Sequence, residues 1–168
     1  MKCLALMGIR SGSKGLSHKN IRELNGFPLF TWALSAARRS NFVNRIVVST
    51  DSSHYMNLLR SYDIEVPYLR PTALSSDNSP ELEYISHMLQ FLKETEHYIP
   101  DIVVRLLATV PMQLESDIDL SVSALLSNRS FLSSVVVAPS RQHPMKALRI
   151  EDHPNGEILL PYSSDRAS

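Results

Sequence analysis

Short apolar runs recur along this chain, and between them lie stretches whose apolar residues repeat at helical spacing. The runs are CLALM (Cys3 to Met7), RIVVSTD (Arg45 to Asp51), DIVVRLLATVP (from Asp101) and SSVVVAP (Ser133 to Pro139). A continuous apolar run of this length, without polar alternation, reads as a strand buried on both faces. Helices between such strands allow parallel neighbours to be joined by crossovers. The pattern predicts an α/β chain in three layers, with a mostly parallel sheet between helices.

The intervening segments carry their own punctuation. NGFP, at Asn25 to Pro28, marks a turn, and Pro28 suits the first position of a helix. That helix carries Trp32, Ala33, Ala36 and Ala37 at helical spacing and ends near Asn41. Thr50, Asp51 or Ser52 can cap a second helix through Tyr55, Met56 and Leu59, after which EVPYLRP reads as strand-like. Ser79 with Pro80 starts a third helix, whose apolar stripe is read through Leu82, Ile85, Leu89 and Leu92. A fourth places Ile118, Val122 and Leu125 on one face. From Pro139 onward the helical period is lost, and Asn155-Gly156 offers a hairpin turn.

Composition narrows the partners. Seventeen basic and seventeen acidic residues in 168 leave no net charge, so no global field points to nucleic acid or an anionic membrane surface. Any anion site must be made locally. Cys3 is the only cysteine and sits inside the first apolar run, where it reads as a small buried hydrophobe rather than a nucleophile. A disulfide framework is excluded. No apolar stretch approaches membrane-spanning length, and the N-terminal run is too short for a signal segment, so the expectation is a cytoplasmic protein without membrane or nucleic-acid partners.

The local charge lies directly after the first run, in GIRSGSKGLSHKN, where Arg10, Lys14 and Lys19 stand among small residues with no acidic one. Loops at the carboxyl ends of strands in open α/β sheets gather ligands, and Gly12 and Gly15 permit close backbone approach. Amides from Ser11 to Gly15 can face a phosphate while Arg10, Lys14 and Lys19 supply charge. Two familiar phosphate loops are excluded. Gly8 and Gly12 have three residues between them and Ser13 precedes the lysine, unlike G-x-x-x-x-G-K-[ST], and G-x-G-x-x-G is absent. The bland reading is a surface turn with solvated lysines.

Taken whole, RSGSKGLSHKNIRELNGFPLFTWALSAA resembles the N-terminal signature of the acylneuraminate cytidylyltransferase family, the CMP-sialic acid synthetases and their CMP-nonulosonate relatives. RIVVSTDSS, VPYLRPTALSSDNS, DIVVRLLATVP followed by DID, and HPMKAL continue the resemblance in order. It implies a Rossmann-like nucleotidyltransferase fold and transfer of CMP from CTP to an acidic nine-carbon sugar, with release of pyrophosphate. It makes Arg10, Ser13, Lys14, Lys19 and Asn20 the triphosphate set within a loop that includes Ser11 and Gly12, with Arg10, Lys19 and Asn20 nearest the chemistry. It puts Arg70 on the cytosine and Asp77 to Ser79 over base and ribose. Lys146 is turned toward the sugar, and His143 nearby reads as structural. From the residues alone, Arg70 also reads as a surface arginine with a packed stem and Asp77 as a helix-start cap.

Departures shape the rest. The common family version reads L-Q-P-T-S-P-L-R where this chain has Leu106, Leu107, Ala108, Thr109, Val110, Pro111, Met112 and Gln113. Leu107, beside Thr109, replaces an amide that meets substrate, so a legionaminic or pseudaminic acid is at least as good an expectation as sialic acid. The resemblance further implies Mg²⁺, held by a late pair of aspartates that family members carry beyond the SSDRAS at which this chain stops, so the metal ligands are expected outside it. Asp51 reads as a helix cap rather than a ligand, and Asp117 and Asp119 face different ways. The expected organisation is a nucleotide-binding core over 1–138 and the start of a dimerisation and sugar-binding arm over 139–168, in a homodimer. Two alternatives stay open: a shortened nucleotide-binding fragment without turnover, and a related nucleotidyltransferase with another sugar or base.

Overall fold

The computed structural model describes residues 1–12, 15–128, 130–139, 148–153 and 156–161. Its backbone divides into two compact units, Met1–Ser134 and Val135–Ser168.

In the first unit the apolar runs form the sheet. β1 (Cys3–Gly8) lies between β4 (Arg45–Ser49) and β5 (Ile102–Leu106), all three parallel, with Leu6 opposite Val47 on one side and Arg105 on the other. A central strand has no polar face, and Cys3 through Met7 are fully buried. Their pleat alternation supplies two cores at once. Cys3, Ala5 and Met7 pack with Phe30, Leu34, Leu59 and Ile118, whereas Leu4 and Leu6 pack with Tyr84, Met88 and Leu92. Each large apolar side chain so buried contributes about 1.5–3 kcal/mol of transfer free energy. Burial pushes the Cys3 thiol above its ordinary value, in keeping with a packing role.

Among the described residues four α-helices cover the sheet. α1 (Leu29–Arg39), α2 (Ser53–Ser61) and α4 (Glu115–Ser127) contribute to the first core, and α3 (Glu81–Glu96) to the second. This is the expected three-layer arrangement. Asn25 and Gly26 both have positive φ, 52° and 81°, the pair a tight hairpin turn requires between β2 (Glu23–Leu24) and β3 (Phe27–Pro28). Pro28 is the residue before α1 rather than its first, and α1 stops at Arg39.

Several readings are corrected. EVPYLRP forms no strand, only isolated parallel bridges of Glu65 with Val47 and Leu69 with Thr50, because the segment leaves the sheet after each contact. The buried stripe of α3 runs through Tyr84, Met88 and Leu92, while Leu82 in the first turn faces solvent. On α4, Ile118 and Val122 are buried and Leu125 half-buried. Ser133–Pro139 is not a strand: three valines supply propensity, but among the described residues no backbone pairs with them.

In the second unit, β6 (Leu148–His153) and β7 (Gly156–Pro161) form an antiparallel pair with His153 opposite Gly156. The antiparallel pairing that the hairpin turn expected at Asn155-Gly156 requires is present, with Gly156 the first residue of β7, while 154 and 155 lie outside the described residues. So do His143 and Lys146.

Candidate functional site

The carboxyl ends of β1 and β5 open into one cavity of about 380 Å³. Its wall joins Gly8 at the end of β1 and Arg10, Gly15, Lys19 and Asn20 after it; Arg70, Leu74 to Asp77 and Ser79 before α3, with Glu81 and Tyr84 from that helix; and Leu107, Ala108 and Thr109 after β5. The volume is that of a small-molecule site. Of the residues singled out in the sequence, Arg10, Lys19, Asn20, Arg70, Asp77, Ser79, Leu107 and Thr109 meet here. Ser11 and Gly12 are described but do not line the cavity, and Ser13, Lys14 and Lys146 are outside the described residues.

The loop after β1 is held from several sides. The Ile9 amide donates to the Ser49 carbonyl at 2.9 Å, carrying the chain one residue beyond the strand. Asp51 then accepts the Ser11 amide at 2.8 Å and the Ser11 hydroxyl at 3.3 Å. Asp51 is thus not a helix cap; Ser52 does that work, its hydroxyl accepting the Tyr55 amide. The far end of the loop forms a 3₁₀ turn over Lys19–Ile21, entered through His18 in the left-handed region, where His18 Nδ1 shares a 2.9 Å hydrogen bond with the Tyr55 hydroxyl. Asn20 is buried and its amide donates to the Arg10 carbonyl at 3.4 Å, tying the loop's two ends together.

Three charged groups of the cavity, Arg10, Asp77 and Glu81, are ion-paired. Arg10 makes a 2.7 Å ion pair with Asp77 and a long 3.4 Å hydrogen bond to the Ser75 carbonyl. Glu81 in the first turn of α3 is ion-paired with Arg105 of β5. Ser79 donates to the Ala73 carbonyl at 3.0 Å and shares a 2.7 Å hydrogen bond with Ser76, which folds the 73–79 loop on itself. Asp77 therefore does not cap α3; Pro80 precedes that helix with no side-chain cap.

Arg70 is no surface arginine. It is 6% exposed, its amide donates to the Thr50 carbonyl at 2.7 Å, and its guanidinium turns back onto Ser49, donating from Nε to the hydroxyl at 3.0 Å and from Nη2 to the carbonyl at 2.6 Å. The guanidinium lies over the Tyr84 ring, 4.4 Å from its centroid. Burial pulls its pKa below the ordinary value, with Tyr84 and Asp51 opposing. Burial likewise pushes the Tyr84 phenol up, and the charge of Glu81 adds to this.

Ser49, Tyr84 and the bracing role of Asp51 were missed in the sequence. Tyr84 had a signal, its i, i+4, i+8 spacing with Met88 and Leu92; the Asp51 contact spans 40 residues and has none.

Among the described residues no group of three or more His, Cys, Asp or Glu could hold a metal ion. The acidic side chains of the cavity, Asp77 and Glu81, both face arginines. The described residues therefore do not fit a Mg²⁺ site. Asp117 instead accepts the Leu114 amide at 3.0 Å, and Asp119 accepts from Ser40 and Asn41 at the end of α1, which holds its carboxyl below the usual value. No helix among the described residues is long and apolar enough to cross a membrane.

The cytidylyltransferase family model matches residues 4–153. The N-acylneuraminate cytidylyltransferase of Escherichia coli O18:K1:H7 is 35% identical over 97 residues, covering 58% of this chain and 23% of that protein. The CMP-N,N'-diacetyllegionaminic acid synthase of Legionella pneumophila is 34% identical over 113 residues, covering 67% of this chain and 48% of that protein. The chain thus spans about half the length, or less, of these relatives. In three dimensions it resembles the CMP:2-keto-3-deoxy-manno-octonic acid synthetase solved with CTP, at a TM-score of 0.63 and 16% identity, over 77% of this chain and 49% of that one. That likeness establishes the nucleotidyltransferase fold, and a family match extending over nearly all of the chain establishes the kinship: this protein belongs to the cytidylyltransferase family.

Proposed function

We propose that this chain binds CTP in the cavity at the ends of β1 and β5 and transfers CMP to an acidic nine-carbon sugar of the sialic, legionaminic or pseudaminic acid type, releasing pyrophosphate. The observation that carries the reading is the meeting of Arg10, Lys19 and Asn20 with Arg70, Asp77 and Ser79 in one wall. Kinship with proteins named for CMP transfer to such sugars supports the substrate pair.

In the proposed reaction the anomeric hydroxyl of the sugar attacks the α-phosphorus of CTP. The new O–P bond forms as the bond to the β-phosphate oxygen breaks, the hydroxyl proton is lost to solvent, and pyrophosphate departs. Arg10 and Lys19 steady the negative charge that builds on the phosphate oxygens, with Lys14 as a further cation of the same loop. Asn20 holds the loop in shape by donating to the Arg10 carbonyl. Leu107 and Thr109 face the sugar, with Lys146 meeting its carboxylate. Action as a homodimer in a reducing cytoplasm, with residues 139–168 as the arm toward the partner, belongs to the same reading.

Pyrophosphate release over a panel of triphosphates and acidic sugars, beside calorimetric titration with CTP, tests it. CTP binding with sugar-dependent release is expected, and Leu107→Gln should change the order of preferred sugars while leaving CTP affinity nearly unchanged. Failure to bind CTP would sink the reading. Binding without release would favour a second reading, nucleotide binding without turnover.

A further inference from the structure

We propose that Tyr84 is a positioning residue that fixes the plane of the Arg70 guanidinium and thereby sets the choice of pyrimidine base. The base-choice half rests on the reading that the cavity takes a cytosine nucleotide; the positioning half rests on the geometry alone.

Ser49 restrains one edge of Arg70, taking hydrogens from Nε and Nη2. Two bonds to a single residue leave the plane free to tilt about that edge. The Tyr84 ring, its centroid 4.4 Å from the guanidinium carbon, opposes that tilt, since a cation over an aromatic face is attracted to it, and more strongly when desolvated. The ring is itself fixed. Tyr84 is 5% exposed, on the buried stripe of α3, and rests against Gly8 at the end of β1. A Cβ on Gly8 would stand 2.5 Å from the ring's Cζ, so the absence of a side chain there makes room for the tyrosine.

Among the described residues Nη1 makes no hydrogen bond, and Arg70 lines the cavity. What remains for a ligand is a set of donors only, because arginine has no acceptor. Cytosine presents adjacent acceptors at O2 and N3. Uracil presents an acceptor at O2 but a donor at N3, which a fixed guanidinium meets with another donor. Discrimination therefore depends on the guanidinium being unable to turn away. A mobile Arg70 would bind either base through O2 alone.

The experiment compares the unaltered chain with Tyr84→Phe and Tyr84→Leu by two measurements. The first is the ¹⁵N order parameter of the Arg70 Nε–H, read without nucleotide. It should stay rigid in the unaltered chain and in Tyr84→Phe and fall in Tyr84→Leu. An Arg70 that stays rigid in the leucine variant, or loosens equally in the phenylalanine variant, overturns the positioning role whether or not any nucleotide binds. The second is the ratio of CTP to UTP affinity. Tyr84→Leu should lower CTP affinity about tenfold while UTP affinity moves by less than about twofold, and Tyr84→Phe should keep the original ratio. Equal loss for both nucleotides overturns the specificity role, because general loosening of the fold does not choose between bases. Should the unaltered chain bind CTP and UTP alike, the cytosine reading fails and the base-choice half with it, while the order parameter still decides whether Tyr84 holds Arg70.

Discussion

Asp77 stands 2.7 Å from Arg10 within the cavity wall, so the arginine best placed to meet a phosphate already has a carboxylate partner. The two side chains are 34% and 38% exposed, which makes this a solvent-screened pair worth about 0.2–1 kcal/mol. A triphosphate must compete with Asp77 for that guanidinium. Asp77→Asn should therefore tighten CTP binding about two- to fivefold, whereas Arg10→Ala should weaken it about tenfold or more. Calorimetric titration checks both, and a weaker Asp77→Asn would show that the carboxylate serves the nucleotide rather than opposing it.

The brace between Asp51 and Ser11 carries a second expectation. Asp51→Ala removes the acceptor of a backbone amide and should cost about 1–2 kcal/mol of stability. CTP affinity should fall with it as the loop loses its set position. Asp51→Asn keeps one acceptor oxygen and should lie between. Urea unfolding and CTP titration on the same samples measure the two effects, and unchanged affinity in Asp51→Ala would make the brace irrelevant to binding.

Arg70→Leu should cost about 1–3 kcal/mol, because the buried Ser49 hydroxyl loses its donor and the Ser49 carbonyl keeps only the Ile9 amide. Arg70→Lys retains charge but not a planar fork, so it should keep more stability while losing preference for CTP over UTP. A lysine variant that retains the preference would mean that charge, not geometry, reads the base.

Gly8 and Tyr84 are matched in shape. Gly8→Ala drives a methyl into the ring and should cost about 1–3 kcal/mol. In Gly8→Ala with Tyr84→Leu the loss should be smaller than the sum of the single losses. Additive losses in denaturant unfolding would show that the two sites do not touch energetically.

Alkaline pH should destabilise the fold. Burial pushes the Tyr68 phenol up to about 12, against an ordinary value near 10. Between those values the unfolded chain releases the proton and the folded chain keeps it. The contribution is therefore whole below about pH 10 and is lost as pH rises toward 12. Tyr55, Tyr84 and Tyr98 are raised by burial as well and act in the same direction. The phenolate absorbance that Tyr→Phe variants assign to these four should appear together with loss of the circular dichroism signal; any of the four that ionises before unfolding would contradict the burial argument.

The parallel sheet was legible because a central strand must be apolar on both faces, and the unbroken run Cys3 through Met7 meets that requirement. The gathering of Arg10, Lys19, Asn20, Arg70 and Leu107 followed from motif order. The environment of each residue did not. Arg70 reads outward on any hydropathy scale, and only Ser49 and Tyr84, brought from elsewhere in the chain, make its burial tolerable. Leu82 reads inward by type, yet at the start of α3 it points away from the sheet. The valines at 135–137 have the chemistry of a strand, but pairing is a property of two segments, and one segment's composition cannot supply the other.

The central position of β1 also sets the order in which the molecule can assemble. Leu4 finds one neighbour at Arg45 and the other at Val103, roughly 40 and 100 residues later. During synthesis at about 5–20 residues per second, the first strand waits on the order of 5–20 s before its second partner exists. Throughout that interval its most apolar segment has one unsatisfied edge and no sheet to complete. Refolding should accordingly be slow for a chain of this size, as expected where loop closure over long separations precedes the contacts that reward it. The nascent N-terminal strand is then the segment most exposed to chaperone capture or misassembly.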